Sequence, residues 1–415
     1  MDINLNRVKK HIETLATFNA TPGNGITRLS FTVEDRMARD YIKEEMSQIG
    51  LKVWEDGYSN LFGRREGKDP NSPVIMIGSH YDSVINGGPL DGVAGLVSAL
   101  EILRVFEENN IENYYPIEIV AMNDEEGVRF GTGISNSRVM AGLMDEKELD
   151  NAKDKDGISL RKAMEEYGIV PDINNAKRPK GSIKTFVELH IEQGPILERN
   201  KKDIGLVETI VGLDKYEVTF KGKSGHAGTT PINNRKDALI AASEFILAVN
   251  RIVRGIGDGT VGTVGELSLS PNASNVIPGY VKLSVDIRST KEENIKGVYK
   301  QLLKEGEYIQ DKRNVDIELI HNLYIPPVNM SEENIVLMEK ISQKLGYSYL
   351  RMNSGAGHDA MIMAEVAPSN LIFIPSKDGL SHHPDEWTDY EDIKKGIDLM
   401  LHTVIELSKI KQGKV

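Results

Sequence analysis

Pro73-Val74-Ile75-Met76-Ile77-Gly78-Ser79-His80-Tyr81-Asp82-Ser83, followed by Gly87-Gly88-Pro89-Leu90-Asp91-Gly92, is the stretch that decides the fold. The residues before Gly78 form a short, almost wholly apolar run, the pattern of a strand buried in a parallel sheet. The strand is expected to stop at Gly78, which leaves His80 and Asp82 at its carboxyl end. Open α/β sheets carry their chemistry at that edge. Asp91 stands among glycines directly ahead of the periodic run from Val93 to Leu103, which spells a helix. An aspartate there is an ordinary helix cap, favoured by hydrogen bonding and by the dipole. The sharper reading makes His80 and Asp91 metal ligands, with Asp82 behind His80 fixing its tautomer. Partners elsewhere in the chain must decide.

On the amino-terminal side, residues 3–17 and a segment from Thr32 through Met37, Tyr41, Ile42 and Met46 to Gly50 read as helices, the second opened by a capping box of Thr32 and Asp35. Strand-like segments follow at 52–55 and 61–64. On the other side, Ile117-Glu118-Ile119-Val120-Ala121-Met122 is a second apolar strand, ending in Asn123-Asp124-Glu125-Glu126-Gly127. Three adjacent carboxylates repel one another, and a nearby cation relieves that; the plain alternative is a solvated acidic loop. Strand, helix, strand is the order that builds a parallel sheet. Residues 145–182 are polar and lysine-rich and carry no legible motif. Then Thr185-Phe186-Val187-Glu188-Leu189-His190-Ile191-Glu192-Gln193-Gly194-Pro195 places another histidine behind an apolar strand.

Near residue 212 the pattern changes. The runs 216–220 and 281–288 alternate, as antiparallel strands with one wet face do, and amphipathic helices at 235–254 and 291–305 interleave with them. The expectation is an α/β chain in two parts. A catalytic domain, 1–212 with 329–415, has a mixed, mostly parallel sheet flanked by helices. An inserted α+β domain, 213–328, has an antiparallel sheet. Within the insertion, Gly222-Lys223-Ser224-Gly225-His226-Ala227-Gly228-Thr229-Thr230-Pro231 presents one histidine on a glycine-rich loop, either a plain turn or a donor delivered to a site elsewhere. Asn275-Val276-Ile277-Pro278 and Arg288 lie in the same insertion. The carboxy-terminal part adds Ser354-Gly355-Ala356-Gly357-His358-Asp359-Ala360. Behind the run 371–374 comes Gly379-Leu380-Ser381-His382-His383-Pro384-Asp385-Glu386-Trp387, read as a fourth strand-end histidine.

Bulk properties narrow the class. A chain of 415 residues suggests two domains. The net charge of −12 speaks against nucleic-acid binding, which wants clustered basic residues. There are no cysteines, so a metal site must use His, Asp and Glu. No apolar run approaches the roughly 20 residues that span a bilayer, and the first ten residues lack a signal-peptide core. A cytoplasmic protein without membrane contact is expected.

Taken together, GSHYDSV, GGPLDG, NDEEGVRF, ELHIEQGP, GHAGTTP, NVIPG, SGAGHDA and SHHPDEW resemble, in order and over essentially the whole chain, the di-zinc aminoacylase and carboxypeptidase-type amidohydrolases. Within these they resemble the carbamoylase and allantoate amidohydrolase branch (hydantoinase/carbamoylase amidases). General peptidases of the family usually carry a carboxylate where this chain has His190. The resemblance implies two divalent metal ions, zinc in the first instance, with manganese, cobalt or nickel as alternatives. His80, Asp91 and His190 would surround one ion. Asp91, Glu126 and His382 would surround the other, with Asp91 bridging; the family aligns its ligand with the first histidine of the His382-His383 pair.

The resemblance also implies roles for the remaining residues. Glu125 would be the general base and His226 the donor to the oxyanion. Arg288, with Asn275, would hold a substrate carboxylate, since a planar guanidinium matches a carboxylate better than an ammonium does. Gln193 and His358 would contact the ureido end. The expected reaction is hydrolysis of an N-carbamoyl amino acid or of allantoate, in a homodimer paired through the inserted lid domain. The competing readings are an aminoacylase or dipeptidase on ordinary amides and, from another class, a metal-free binding protein on a retired enzyme fold.

Overall fold

A computed structural model describes residues 2–409. They form two compact units, one from the residues up to Glu208 together with those from Met330 on, the other Thr209–Asn329.

The first unit is built on a mixed sheet. In spatial order its strands are Lys52–Glu55, Leu61–Arg65, Ile117–Met122, Val74–His80, Ile183–Ile191, Ser369–Ile374 and Ile204–Ile210, with Tyr349–Ser354 also pairing with Ile204–Ile210. The four central strands, from Ile117–Met122 to Ser369–Ile374, run parallel; the flanks are antiparallel. Every residue of Val74–His80, Ile117–Met122 and Ser369–Ile374 is buried, which is why they read as unbroken apolar runs rather than alternations. The helix Val93–Glu108 is buried almost all round, because it lies on the sheet and beneath the helices Leu5–Thr17 and Tyr390–Leu407.

Gly78 does not end its strand, which continues to His80. Its φ of +149° and its closeness to the neighbouring strand, where a Cβ would lie 1.9 Å from Val120 O, require glycine inside the strand rather than after it. The second helix is Val33–Gln48, and its box is only half closed. Thr32 Oγ1 accepts from Asp35 N–H, but the Asp35 carboxylate reaches Phe31 N–H, one residue before the cap. Residues 145–182, motif-free in sequence, contribute Leu149, Leu160, Ala163, Met164, Tyr167, Ile173 and Ala176 to a separate apolar cluster with Phe31, Tyr58 and Phe130.

The second unit has a five-stranded antiparallel sheet in the order Leu267–Ser270, Tyr280–Ser289, Gly212–Lys221, Asp316–Ile325, with Val261–Thr263 also on Tyr280–Ser289. Val281, Leu283, Val285 and Ile287 turn inward onto the helix Ala238–Ile256, and the helix Glu292–Arg313 adds Val298, Leu302 and Ile309 to the same core. The alternate residues, Asp286 and Arg288 among them, face the other side. Among the described residues no helix is long and apolar enough to cross a membrane.

Candidate metal centre

His80 closes the strand Val74–His80, and His190 is the penultimate residue of the parallel neighbour Ile183–Ile191, so both rings reach one edge of the sheet. The loop after Ile117–Met122, on the other side of the His80 strand, brings Glu125 and Glu126 to that edge. Asp91 arrives from the turn ahead of Val93–Glu108. The helix cap there is Gly92, without a side-chain bond, so the Asp91 carboxylate is not a cap.

Its two oxygens face different partners. Oδ1 lies 3.4 Å from His80 Nε2 and 3.1 Å from His190 Nε2. Oδ2 lies 3.1 Å from His382 Nε2, which is 3.4 Å from Glu126 Oε1. Two groups able to hold a cation, His80–Asp91–His190 and Asp91–Glu126–His382, therefore share Asp91. A third combination, Glu188–His190–His358, is equally close. There, however, the Glu188 oxygens are taken by Ser79 Oγ at 2.7 Å and Ala360 N–H at 2.9 Å.

The ring protons can be placed. His80 Nδ1 faces Asp82 O at 3.2 Å, and His190 Nδ1 faces Ile191 O at 2.9 Å. A carbonyl only accepts, so each Nδ1 carries a proton, and in the neutral ring each Nε2 turns a lone pair toward Asp91. Gly92 N–H, 3.2 Å from His190 Nε2, agrees with that. A lone pair aimed at a carboxylate oxygen is repelled unless a proton or a cation stands between them. Glu126 Oε1 is in addition buried without a hydrogen-bond partner. These nitrogen and oxygen donors fit a divalent cation.

The acids are crowded. Burial raises the Glu125 carboxyl well above its usual range, opposed by His80 and reinforced by Glu126, Asp359 and Asp82. Burial and Asp91 also raise Glu126. Asp82 relieves the loop's backbone rather than its side chains. Its carboxylate accepts N–H of Asp124 at 3.1 Å, Glu125 at 3.0 Å and Glu126 at 3.1 Å. It is the Asp82 carbonyl that orients His80, the carboxylate lying 3.5 Å from the ring.

The other expected residues fall in two places. In the first unit, Gln193 adopts a left-handed φ of +56°. Its Nε2 donates to Asp91 Oδ2 at 2.9 Å, while its Oε1 is buried and unpartnered. His358 is buried behind His190, rings 4.6 Å apart, with Nε2 3.0 Å from Ser354 Oγ. His382 is not at a strand end. It sits in the loop beyond Ile374, past a 3-10 turn, at φ +55°. His383 Nδ1 instead accepts Asp385 N–H. In the second unit, His226 and Asn275 are neighbours: His226 pairs with Val276, and Ala227 N–H donates to Asn275 O at 3.0 Å. His226 is exposed, and its Nδ1 accepts N–H of Gly228 at 3.0 Å and Thr229 at 3.1 Å, which leaves the proton on Nε2. Arg288 Nε donates to Asp286 at 3.0 Å.

Sequence reading passed over Ser381 and Glu386, although both lie in the SHHPDEW motif. Ser381 Oγ is 3.1 Å from Asp91 Oδ2 and 2.9 Å from Glu386 Oε2. The available signal was a second acid four residues beyond His382.

Known proteins share this arrangement of chain. The chain is 40% identical over 404 residues to an N-carbamoyl-L-amino-acid amidohydrolase of Paenarthrobacter aurescens, covering 97% of this chain and 98% of that protein. It is 34% identical over 401 residues to an allantoate amidohydrolase of Escherichia coli (strain K12), covering 97% of each. The crystal structure of a hydantoinase/carbamoylase family amidase from Burkholderia multivorans superposes with a TM-score of 0.90 at 34% identity, covering 98% of both chains. Residues 76–406 match the profile of Peptidase family M20/M25/M40. The chain belongs to Peptidase family M20/M25/M40.

Proposed function

We propose that this protein is a metal-dependent amidohydrolase that cleaves the N-carbamoyl amide of N-carbamoyl-L-amino acids or of allantoate, releasing ammonia and carbon dioxide. The observation that carries the reading is the division of the Asp91 carboxylate between two ligand groups with Glu125 beside them. The names of the full-length relatives support the ureido substrate.

In this reading His80, Asp91 and His190 hold one cation and Asp91, Glu126 and His382 a second, zinc being the first choice. Such ions, when bound, would acidify a water and polarise the carbonyl. Glu125 takes the water's proton and returns it to the leaving nitrogen. Its raised proton affinity suits a group that must accept a proton and then release it. His226, with Nε2–H outward, donates to the developing oxyanion. Arg288 and Asn275 bind the substrate carboxylate, and Gln193 and His358 serve the ureido end. The inserted unit supplies His226, Asn275 and Arg288 and the surface through which two chains pair as a homodimer in the cytoplasm.

Ammonia release by metal-replete protein from a panel of N-carbamoyl-L-amino acids, allantoate, N-acetyl amino acids and dipeptides tests the assignment. Turnover confined to ureido substrates is expected. Faster cleavage of N-acetyl amino acids or dipeptides would overturn it in favour of an aminoacylase or peptidase.

A further inference from the structure

The loop that delivers His382 is tied to the turn that delivers Asp91 by one buried acid. Glu386 is 2% exposed. Its Oε1 accepts the backbone N–H of Leu90 at 3.1 Å and of Asp91 at 3.1 Å. Its Oε2 is bonded at 2.9 Å to Ser381 Oγ, which also touches Asp91 Oδ2 at 3.1 Å. Gly88 lies so close that a Cβ there would come within 2.3 Å of the Glu386 side chain. The partners are 295 and 296 positions apart in sequence, so these bonds join segments that chain connectivity leaves independent.

We propose that Glu386 is a positioning residue for the metal centre. With Ser381 it fixes the Asp91 oxygen that faces His382, and so sets the geometry of the Asp91–Glu126–His382 cation position. Three features carry this. The carboxylate grips the backbone of the shared ligand, not only its surroundings. The Ser381 hydroxyl addresses Oδ2, the oxygen on the His382 side, and leaves Oδ1 to His80 and His190. Finally, His382 occupies an irregular loop at a left-handed φ, where no strand or helix ladder holds it. A ligand on such a loop needs an external anchor, and groups that orient metal ligands typically alter affinity by about 10–100-fold when removed.

The inference rests on the two-cation reading above, and cation titration of unmutated protein checks that reading first by giving two bound zinc ions per chain. The proposal itself is tested by titrating zinc into E386A, E386Q and S381A, with kcat and KM measured in parallel. E386A is expected to keep one cation near wild-type affinity and to bind the second about 10–100-fold more weakly, with kcat falling and KM little changed. E386Q is expected to recover both quantities to within a few-fold. Its amide oxygen still accepts the two backbone N–H groups, and its amide nitrogen donates to Ser381, which then donates to Asp91. S381A, the mildest change, should weaken the second cation alone, and it keeps the test decisive should E386A fail to fold. Two cations at wild-type affinity in E386A, or in S381A, would overturn the proposal. Equal loss in E386A and E386Q would do so too, as would weakening of both cation positions alike.

Discussion

Asp91 and Glu125 are both acids beside His80, yet their substitution should read out differently. Asp91→Ala removes the carboxylate shared by both ligand groups, so metal content by elemental analysis should fall at both positions. A variant still carrying a full complement would show that Asp91 is no bridge. Glu125→Gln keeps every ligand and deletes only the group that moves the proton. It should retain its metal and lose about 10²–10⁴-fold in kcat, and near-normal turnover in a metal-replete sample would remove Glu125 from the mechanism. Residue identities at the centre were legible because each histidine follows an apolar run or carries its own motif. Orientation was not. Nothing in GGPLDG tells whether Asp91 caps the helix or faces away from it, a choice made by Gly92 taking the cap. Likewise the Asp82 carboxylate looked fit to orient His80, whereas it binds three successive backbone N–H groups that come from 42 to 44 residues further along.

At the scale of strands and helices, Val74–His80 can be probed through Gly78. Alanine there would meet Val120 O and must also hold a φ of +149°, so Gly78→Ala should destabilise by about 3 kcal/mol or more. A thermal midpoint within a degree or two of wild type would show that the strands part easily. The contact between Leu5–Thr17 and Val33–Gln48 gives a pH test. His11 Nδ1 meets Tyr41 Oη at 2.7 Å, with Glu45 4.0 Å from its other nitrogen. Burial, helped by Lys10, Arg7 and Arg104, lowers the His11 pKa to about 4. The unfolded chain takes up this proton near pH 6.5, so the contribution is intact above that pH. It is lost as the pH falls from 6.5 towards 4, to the order of 2 kcal/mol. His11→Gln should flatten that part of the stability curve measured by denaturant titration, and an unchanged slope would exclude His11 as its source. Elements were readable where a period was clear, as in the alternation of 281–288. They were unreadable where tertiary partners decide: the strand through Gly78, the loop under His382, and the 145–182 helices held by a cluster drawn from distant aromatic residues.

Across the whole molecule, the proposed metal ligands and the proposed oxyanion- and carboxylate-binding residues belong to different units. His80, Asp91, Glu126, His190 and His382 are all in the first, whereas His226, Asn275 and Arg288 are all in the second. Metal binding and substrate selection should therefore separate. His226→Ala and Arg288→Lys are expected to bind cations as wild type does while losing kcat/KM, the first mainly in kcat and the second mainly through KM. Metal loss in either would contradict the division of labour. This partition was visible in the change of pattern near residue 212, because alternation and unbroken apolar runs bury different numbers of faces.

The strand Ser369–Ile374 sits in the middle of the first sheet, between Ile183–Ile191 and Ile204–Ile210, yet it follows both of them late in the sequence. During synthesis its two neighbours emerge 186 and 165 residues earlier, counted from the start of each strand, roughly ten to thirty seconds at ordinary elongation rates. Throughout that interval Ile183–Ile191 has an open, apolar edge, the kind that recruits another chain. Nascent chain truncated before Ser369 should accordingly associate through that edge, and chain that includes Ser369–Ile374 should not.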